Sequence, residues 1–388
     1  MSLPISSQPS RSELFYDLVL IGAFLSFGVD FGKDPNWESA LMLALKLTLI
    51  MWAWEQTALF FNRFGDPFVA RFSGKLLPAA LRISFLLQLV AVVAVSLLET
   101  SELKLAALGG ELGYAAGALA LSCALIYELG GRWQPHLVEV ARVRRNASLV
   151  GFVLFIASGL SPQPLAPVLW ILAIVAIFAI DFGPAMPKIL ERFPLNSEHL
   201  SERLGLFVLI LIGDVFVKTV VTVHEDNVKE AHLLQLAFVA VISWTLWTIY
   251  DREVMSRPMP ERAARLRAWM LWHYLFAITL LICSVGLVWY IAPNYTHRFE
   301  DWLAMVASGG IGVTIALIAM MRITAGAAGA RAGAARLGVI AAVAIVIGLL
   351  AWLATPSDWR VGVGTLAVAL VALNYWAFRN DPRPAEAQ

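Results

Sequence analysis

Asp214 stands eleven residues beyond Arg203 in an otherwise apolar run, and Lys218 follows it at i+4. On a helix that spacing puts both side chains on one face. A carboxylate at the centre of a bilayer costs about 2.5–3.5 kcal/mol on insertion scales, so it needs a partner, a water path or a function. Two chemistries suit the pair. Each charge could neutralise the other in an internal salt bridge, or the two could couple the movement of a proton or ion. Gly213 leaves room beside Asp214 for a substrate or a second helix. Asp17 lies one turn beyond Glu13 at the start of the first apolar run, and Glu55 lies seven residues before Asn62 at the end of the second. At ~1.5 Å of rise per residue, Glu55 would be roughly 10 Å deep. On adjacent antiparallel helices Asp17 and Glu55 could meet, and two carboxylates that close share one proton. As structural glue they would instead pair with Arg63, Arg203 or backbone groups. Lys46, in the second run, reads either as a related cation or as a side chain snorkelling to the outer interface.

Other polar residues carry weaker signals. Glu111 sits in a Gly109, Gly113, Gly117 series. That spacing makes a small-residue face for close helix packing, which a second copy of the chain could share in a homodimer. His273, after Trp272, reads as a hydrogen-bonded interfacial histidine, with titration as the lesser reading. Trp52, Trp54, Trp244, Trp247 and Trp289 read as interfacial belt residues, with ligand stacking by the inner pairs second. The six histidines show no HxxxH or HExxH spacing, and Cys123 and Cys283 fall inside apolar runs. No metal site, disulfide or cofactor is therefore expected.

These residues need helices in lipid to position them. Hydrophobic residues make up 59% of the 388 positions and charged residues only 15%, with a mean hydropathy of +0.73. A soluble domain carries about 25% charged residues, so much of this surface must face lipid. Net charge is +1, which implies no nucleic acid partner. Apolar runs long enough to span predict twelve helices, at 14–31, 38–62, 78–98, 104–128, 146–160, 166–183, 203–223, 230–250, 267–291, 302–321, 335–354 and 359–378. The fold class is thus an all-α polytopic membrane bundle solvated by membrane lipids. The first run holds Glu13 and Asp17 and does not read as a cleavable signal. Of 29 Lys and Arg, 22 fall on one side of this topology, five on the other and two (Lys46, Lys218) within runs. The positive-inside rule then puts both termini in the cytoplasm.

A weak repeat divides the chain. Glu13-Leu-Phe matches Glu202-Arg-Leu, and Phe61-Asn-Arg63 matches Tyr250-Asp-Arg252, both at an offset of 189 residues. Two six-helix halves, 1–190 and 191–388, are expected, related by a pseudo-two-fold along the membrane normal.

Four strings resemble the signatures of the bacterial low temperature requirement A family, in that family's order. They are Ser12–Leu20 (SELFYDLVL), Trp52–Phe64 (WAWEQTALFFNRF), Glu198–Phe207 (EHLSERLGLF) leading to Ile212-Gly213-Asp214, and Trp244–Asp251 (WTLWTIYD). The resemblance implies a many-span inner-membrane protein and supplies no reaction. This chain departs from it in having Asp214 where the family usually has Glu, which keeps the charge and shortens its reach. Glu55 is not a fixed feature of the second signature. The signatures imply that Glu13, Asp17, Asn62, Arg63, Glu202, Arg203 and Asp251 gather at the cytoplasmic ends of the first, second, seventh and eighth helices. Asp214 would lie deeper beneath this polar vestibule.

The leading expectation is a permease for a small solute or ion, proton-coupled through buried carboxylates and not an enzyme. The alternative is an intramembrane enzyme or binding protein for a lipid or isoprenoid-like substrate. Ser201, Ser243 and Tyr16 lie near the site, but they make no nucleophile–base set. A third expectation is a non-catalytic packing factor, in which the buried charges serve stability alone.

Overall fold

The computed structural model describes residues 9–33, 36–68, 76–98, 108–181, 183–225, 230–291, 302–326, 330–353 and 359–379. Every regular element among them is helical. Residues 104–107, 182 and 354 of the expected helices lie outside the described residues, as do Arg71, Lys75, Lys104, Lys229, Arg298 and Arg383 of the basic residues. Contacts divide the chain into two units, Met1–Leu204 and Gly205–Gln388.

The first unit holds α1 (Arg11–Lys33), α2 (Trp37–Phe64), α3 (Leu76–Leu97), α4 (Gly110–Trp133), α5 (Val138–Leu160), α6 (Leu165–Asp181), α7 (Ala185–Arg192) and the start of α8 (Ser197–Glu225). Two of them begin with reciprocal caps. Ser10 caps α1: its hydroxyl accepts from the Glu13 amide at 3.3 Å, and Glu13 Oε1 accepts from the Ser10 amide at 3.1 Å. This reciprocal pair satisfies two amides that a helix start leaves open. Asn36 and Ser39 cap α2 in the same way. α2 ends at Gly65, whose φ of 81° suits only a residue without a side chain. Around that end, Phe60, Phe61, Phe64, Phe85 and Tyr127 form an aromatic core, with the Phe60 and Phe64 rings stacked 4.6 Å apart.

α4 and α5 approach closely because their contact is made of glycines. A Cβ on Gly113 would come within 2.7 Å of the Gly159 backbone nitrogen, and one on Gly117 would strike Ile156. The small-residue face is therefore occupied within the chain by α5.

Three expectations about helix ends are corrected. α5 starts at Val138, not 146, so Arg142, Arg144 and Arg145 ride on the helix and not in a loop. Arg145 reaches Glu128 on α4 at 2.6 Å, and Arg144 is buried. Long charged side chains are good helix formers, and such pairing lets them extend the helix start. α8 starts at Ser197, not 203, because Asn196 caps it. Among the described residues α7 makes thirteen α-helices where twelve were expected. It is short, with Met186 and Ile189 buried and Lys188, Glu191 and Arg192 on the other side.

The second unit holds the rest of α8, then α9 (Glu230–Tyr250), a π-helical turn (Asp251–Met255), α10 (Ala263–Ile291), α11 (Trp302–Ala325), α12 (Ala330–Leu353) and α13 (Trp359–Arg379). α10 packs on α11, α11 on α12 and α12 on α13, which in turn packs on α9.

Among the described residues, seven helices are long and apolar enough to cross a membrane, and the bent α6–α7 pair would make an eighth. The chain is a helical membrane protein. Its exposed residues agree: Leu165, Val168, Ile171, Leu172 and Val175 form an exposed apolar row on α6, and Ile83, Leu86, Leu87 and Val90 form one on α3. Such rows recur at helical spacing and suit a lipid-facing surface.

Candidate functional site

Three helix ends of the first unit meet: the start of α1, the end of α2 and the start of α8. Arg203 is 0% exposed and lies between two carboxylates of α1. Its Nη2 donates to Asp17 Oδ1 at 2.6 Å, and its Nη1 pairs with Glu13 Oε2 at 3.1 Å. The indole of Trp54 donates to the same Asp17 oxygen at 2.7 Å. The guanidinium carbon lies 5.6 Å from the Trp54 ring and 5.8 Å from the Phe61 ring, within cation–π range. Hydrogen bonds from both donors, together with the flanking aromatic rings, make a buried charge tolerable.

His199 continues the cluster. Its Nε2 lies 3.2 Å from Glu13 Oε2, and its Nδ1 lies 3.4 Å from Asn62 Nδ2. Asn62 is fixed by two bonds to the Asn196 backbone, accepting from its N–H at 3.0 Å and donating to its carbonyl at 2.8 Å. Those backbone partners settle which way the amide points. Arg63 donates Nε to the Phe193 carbonyl at 3.3 Å. The chain therefore brings Glu13, Asp17, Asn62, Arg63 and Arg203 to one place, where all five are buried and Arg203 pairs with both acids.

The remaining residues are placed as follows. Trp54 makes the contact to Asp17 that was expected of Glu55, which is itself buried on α2. Glu202 is half-buried on α8. Trp52 and Trp54 are each 1% exposed and belong to the core, correcting the belt reading; helix packing on the inward face of α2 takes them from the interface. Trp244 is exposed as a belt residue should be, and the Trp289 side chain lies outside the described residues. Lys46 does not snorkel: it is buried with its ammonium 4.8 Å from the centre of the Phe27 ring.

In the second unit, Asp214 Oδ2 pairs with Lys218, as the i+4 spacing predicts. Lys218 also donates to Ser284 Oγ on α10 at 3.3 Å. Asp214 Oδ1 is buried with no hydrogen-bond partner among the described residues. A Cβ on Gly213 would meet nothing within 4 Å, so the helix face next to Asp214 is open. Asp251 is exposed in the π-helical turn; its neighbour Glu253 is the buried acid there, bonded by Arg252 at 2.8 Å and paired with Arg322 of α11. His273 is buried, its Nδ1 donating to the Trp269 carbonyl at 2.8 Å and its Nε2 lying 3.1 Å from the Tyr250 hydroxyl.

The family profile described as bacterial low temperature requirement A protein (LtrA) matches residues 9–375. The chain belongs to the LtrA family. An uncharacterised protein of Rhizobium meliloti (strain 1021), RA0937, is 24% identical over 259 residues, which are 65% of this chain. The chain spans 60% of that relative's length. No solved structure matches the chain.

Three LtrA signatures supply the first cluster. The first carries Glu13 and Asp17, the second Trp54, Asn62 and Arg63, and the third His199 and Arg203. Sequence reasoning missed His199 and Asn196, though His199 stands in the third signature and Asn196 two residues before it. The available signal was the cap: an Asn three residues before a histidine at a helix start fixes where that imidazole must sit. Glu253 and Arg322 had no comparable signal, since the π-helical turn that presents Glu253 shows no periodicity.

Proposed function

We propose that this LtrA-family chain is an inner-membrane permease for a small solute or ion, coupled to protons through Asp214. One observation carries the reading: a carboxylate within an apolar membrane helix keeps one buried oxygen unbonded while Lys218 holds the other. An acid held by a single mobile cation can take a proton when that cation swings away, and the released ammonium can then contact a solute or ion. In the first cluster Arg203 pairs with both Asp17 and Glu13, and that cluster does not carry this reading.

In this reading the twelve long helices are the spans, in two halves at 1–190 and 191–388, with both termini cytoplasmic. α2 is excluded from an apolar count by Glu38, Lys46, Glu55 and Arg63, but the last three are buried in protein and need not meet lipid.

The test is a solid-supported-membrane assay of proteoliposomes against a panel of amino acids, sugars, organic acids and alkali cations under a pH gradient. At least one class should evoke a current that falls to background in folded Asp214→Asn. A silent panel, or a current unaltered in the variant, overturns the reading.

A further inference from the structure

His199 is held so that its two ring nitrogens face opposite chemistry. Nε2 faces the Glu13 carboxylate, an acceptor, at 3.2 Å. Nδ1 faces the Asn62 amide nitrogen, a donor, at 3.4 Å. The tautomer follows: the proton of a neutral imidazole is on Nε2, and Nδ1 holds a lone pair. The Asn62 amide cannot turn to offer its oxygen, because both of its ends are bound to the Asn196 backbone.

The surrounding charges pull the other way. Within the contacts of the cluster, Glu13 and Asp17 share one guanidinium, that of Arg203. With His199 neutral, that guanidinium is the cation shown to pair with the two acids, and an imidazolium would set a second cation against Glu13. The other ionisable groups on these elements are Arg11, Tyr16, Asp30 and Lys33 on α1; Glu38, Lys46, Glu55 and Arg63 on α2, with the Arg63 Nε engaged by the Phe193 carbonyl; and Glu198, Glu202, Asp214, Lys218, His224 and Glu225 on α8. His199 is 2% exposed.

We infer that His199 is a proton-binding site whose occupation unlocks Asn62 from Asn196. A proton delivered by hydronium binds the Nδ1 lone pair, its O–H bond breaks and leaves water, and the new Nδ1–H confronts the Asn62 N–H. Two donors cannot share that contact, so the amide gives up its paired bonds to the residue that caps α8. The same proton sets a second cation against Glu13. Protonation at one end of α8 is thereby converted into release of the α2–α8 junction within the first unit. This site is separate from Asp214, and the argument for it does not rest on transport.

The test uses the full chain in lipid nanodiscs with ¹⁵N-labelled histidine and labelled asparagine side chains, titrated from about pH 8.5 to about pH 5, the range in which histidine charge changes. The resonance missing in His199→Gln identifies the residue. If that variant does not fold, wild-type protein suffices, through the contact of the imidazole with ¹³C-labelled Asn62. The expected result is a neutral Nε2–H imidazole at the upper end and an imidazolium at the lower, with the Asn62 amide resonance moving in the same step. An imidazole that keeps one state throughout overturns the inference, as does one that titrates while the Asn62 amide stays still. A merely structural histidine would give one of those two results. Failure here leaves the Asp214 reading standing, and failure of the flux assay leaves this one.

Discussion

Asp17 and Arg203 are 186 residues apart in the chain and 2.6 Å apart at their charged atoms. The guanidinium that makes this contact also holds Glu13, so one side chain joins α8 to two turns of α1. Arg203→Gln strands two buried carboxylates. It should cost about 3–5 kcal/mol, the usual penalty for breaking a buried pair by removing one partner. Arg203→Lys, which has no fork to serve both acids, should fall between. Reversible unfolding in mixed micelles measures both.

Trp54→Phe keeps the aromatic surface beside Arg203 and removes the bond to Asp17 Oδ1. A loss of about 1–3 kcal/mol is expected, because the bond is to a charged group. A change within error would mean that Arg203 alone supports Asp17.

Gly113→Ala places a methyl group 2.7 Å from the Gly159 backbone nitrogen and 3.0 Å from the Phe155 carbonyl oxygen. Neither is the end of a flexible side chain, so α4 and α5 must separate. The expected cost is about 1–3 kcal/mol, read as a lower thermal midpoint. Gly213→Ala serves as the control, since its methyl meets nothing within 4 Å.

Asp214→Asn and Lys218→Met should each destabilise more than the double variant does. Each single change leaves one buried charge without its counter-ion, and the double change removes both. A coupling energy of about 0.5–3 kcal/mol from the four-variant cycle would establish the pair. Strictly additive effects would count against it.

Gly333→Ala reports on the other buried pair. The Arg322 guanidinium lies where a side chain at Gly333 would begin, so an added methyl must displace it from Glu253. The guanidinium is the end of a flexible side chain, so a loss smaller than that of Arg322→Gln is expected, and an equal loss would show that Arg322 has no other place to go.

Much of this was legible before any coordinates. Apolar runs announce helices because lipid leaves the backbone no other way to satisfy its polar groups. The Asp214–Lys218 pair was legible because its partners lie one turn apart on one helix. The Glu13–Asp17–Arg203 grouping followed from the order of the signatures. What failed was the choice between neighbours on one turn. Trp54 and Glu55 are adjacent, and only packing decides which of them faces α1. Trp52 illustrates the same limit, since an indole inside a helix suits an interface and a core equally well. The start of α5 was missed because three arginines read as a loop, whereas Arg145 has its counter-ion, Glu128, on the preceding helix.

The cation that neutralises α1 is synthesised long after α1 itself. At about 5–20 residues per second, roughly 10–40 s of translation separates Asp17 from Arg203. During that interval the first helix must enter the bilayer carrying Glu13 and Asp17 without Arg203. Its early insertion is thus a debt settled only when the start of α8 leaves the ribosome, and a chain interrupted before residue 203 would carry α1 in its least membrane-compatible form.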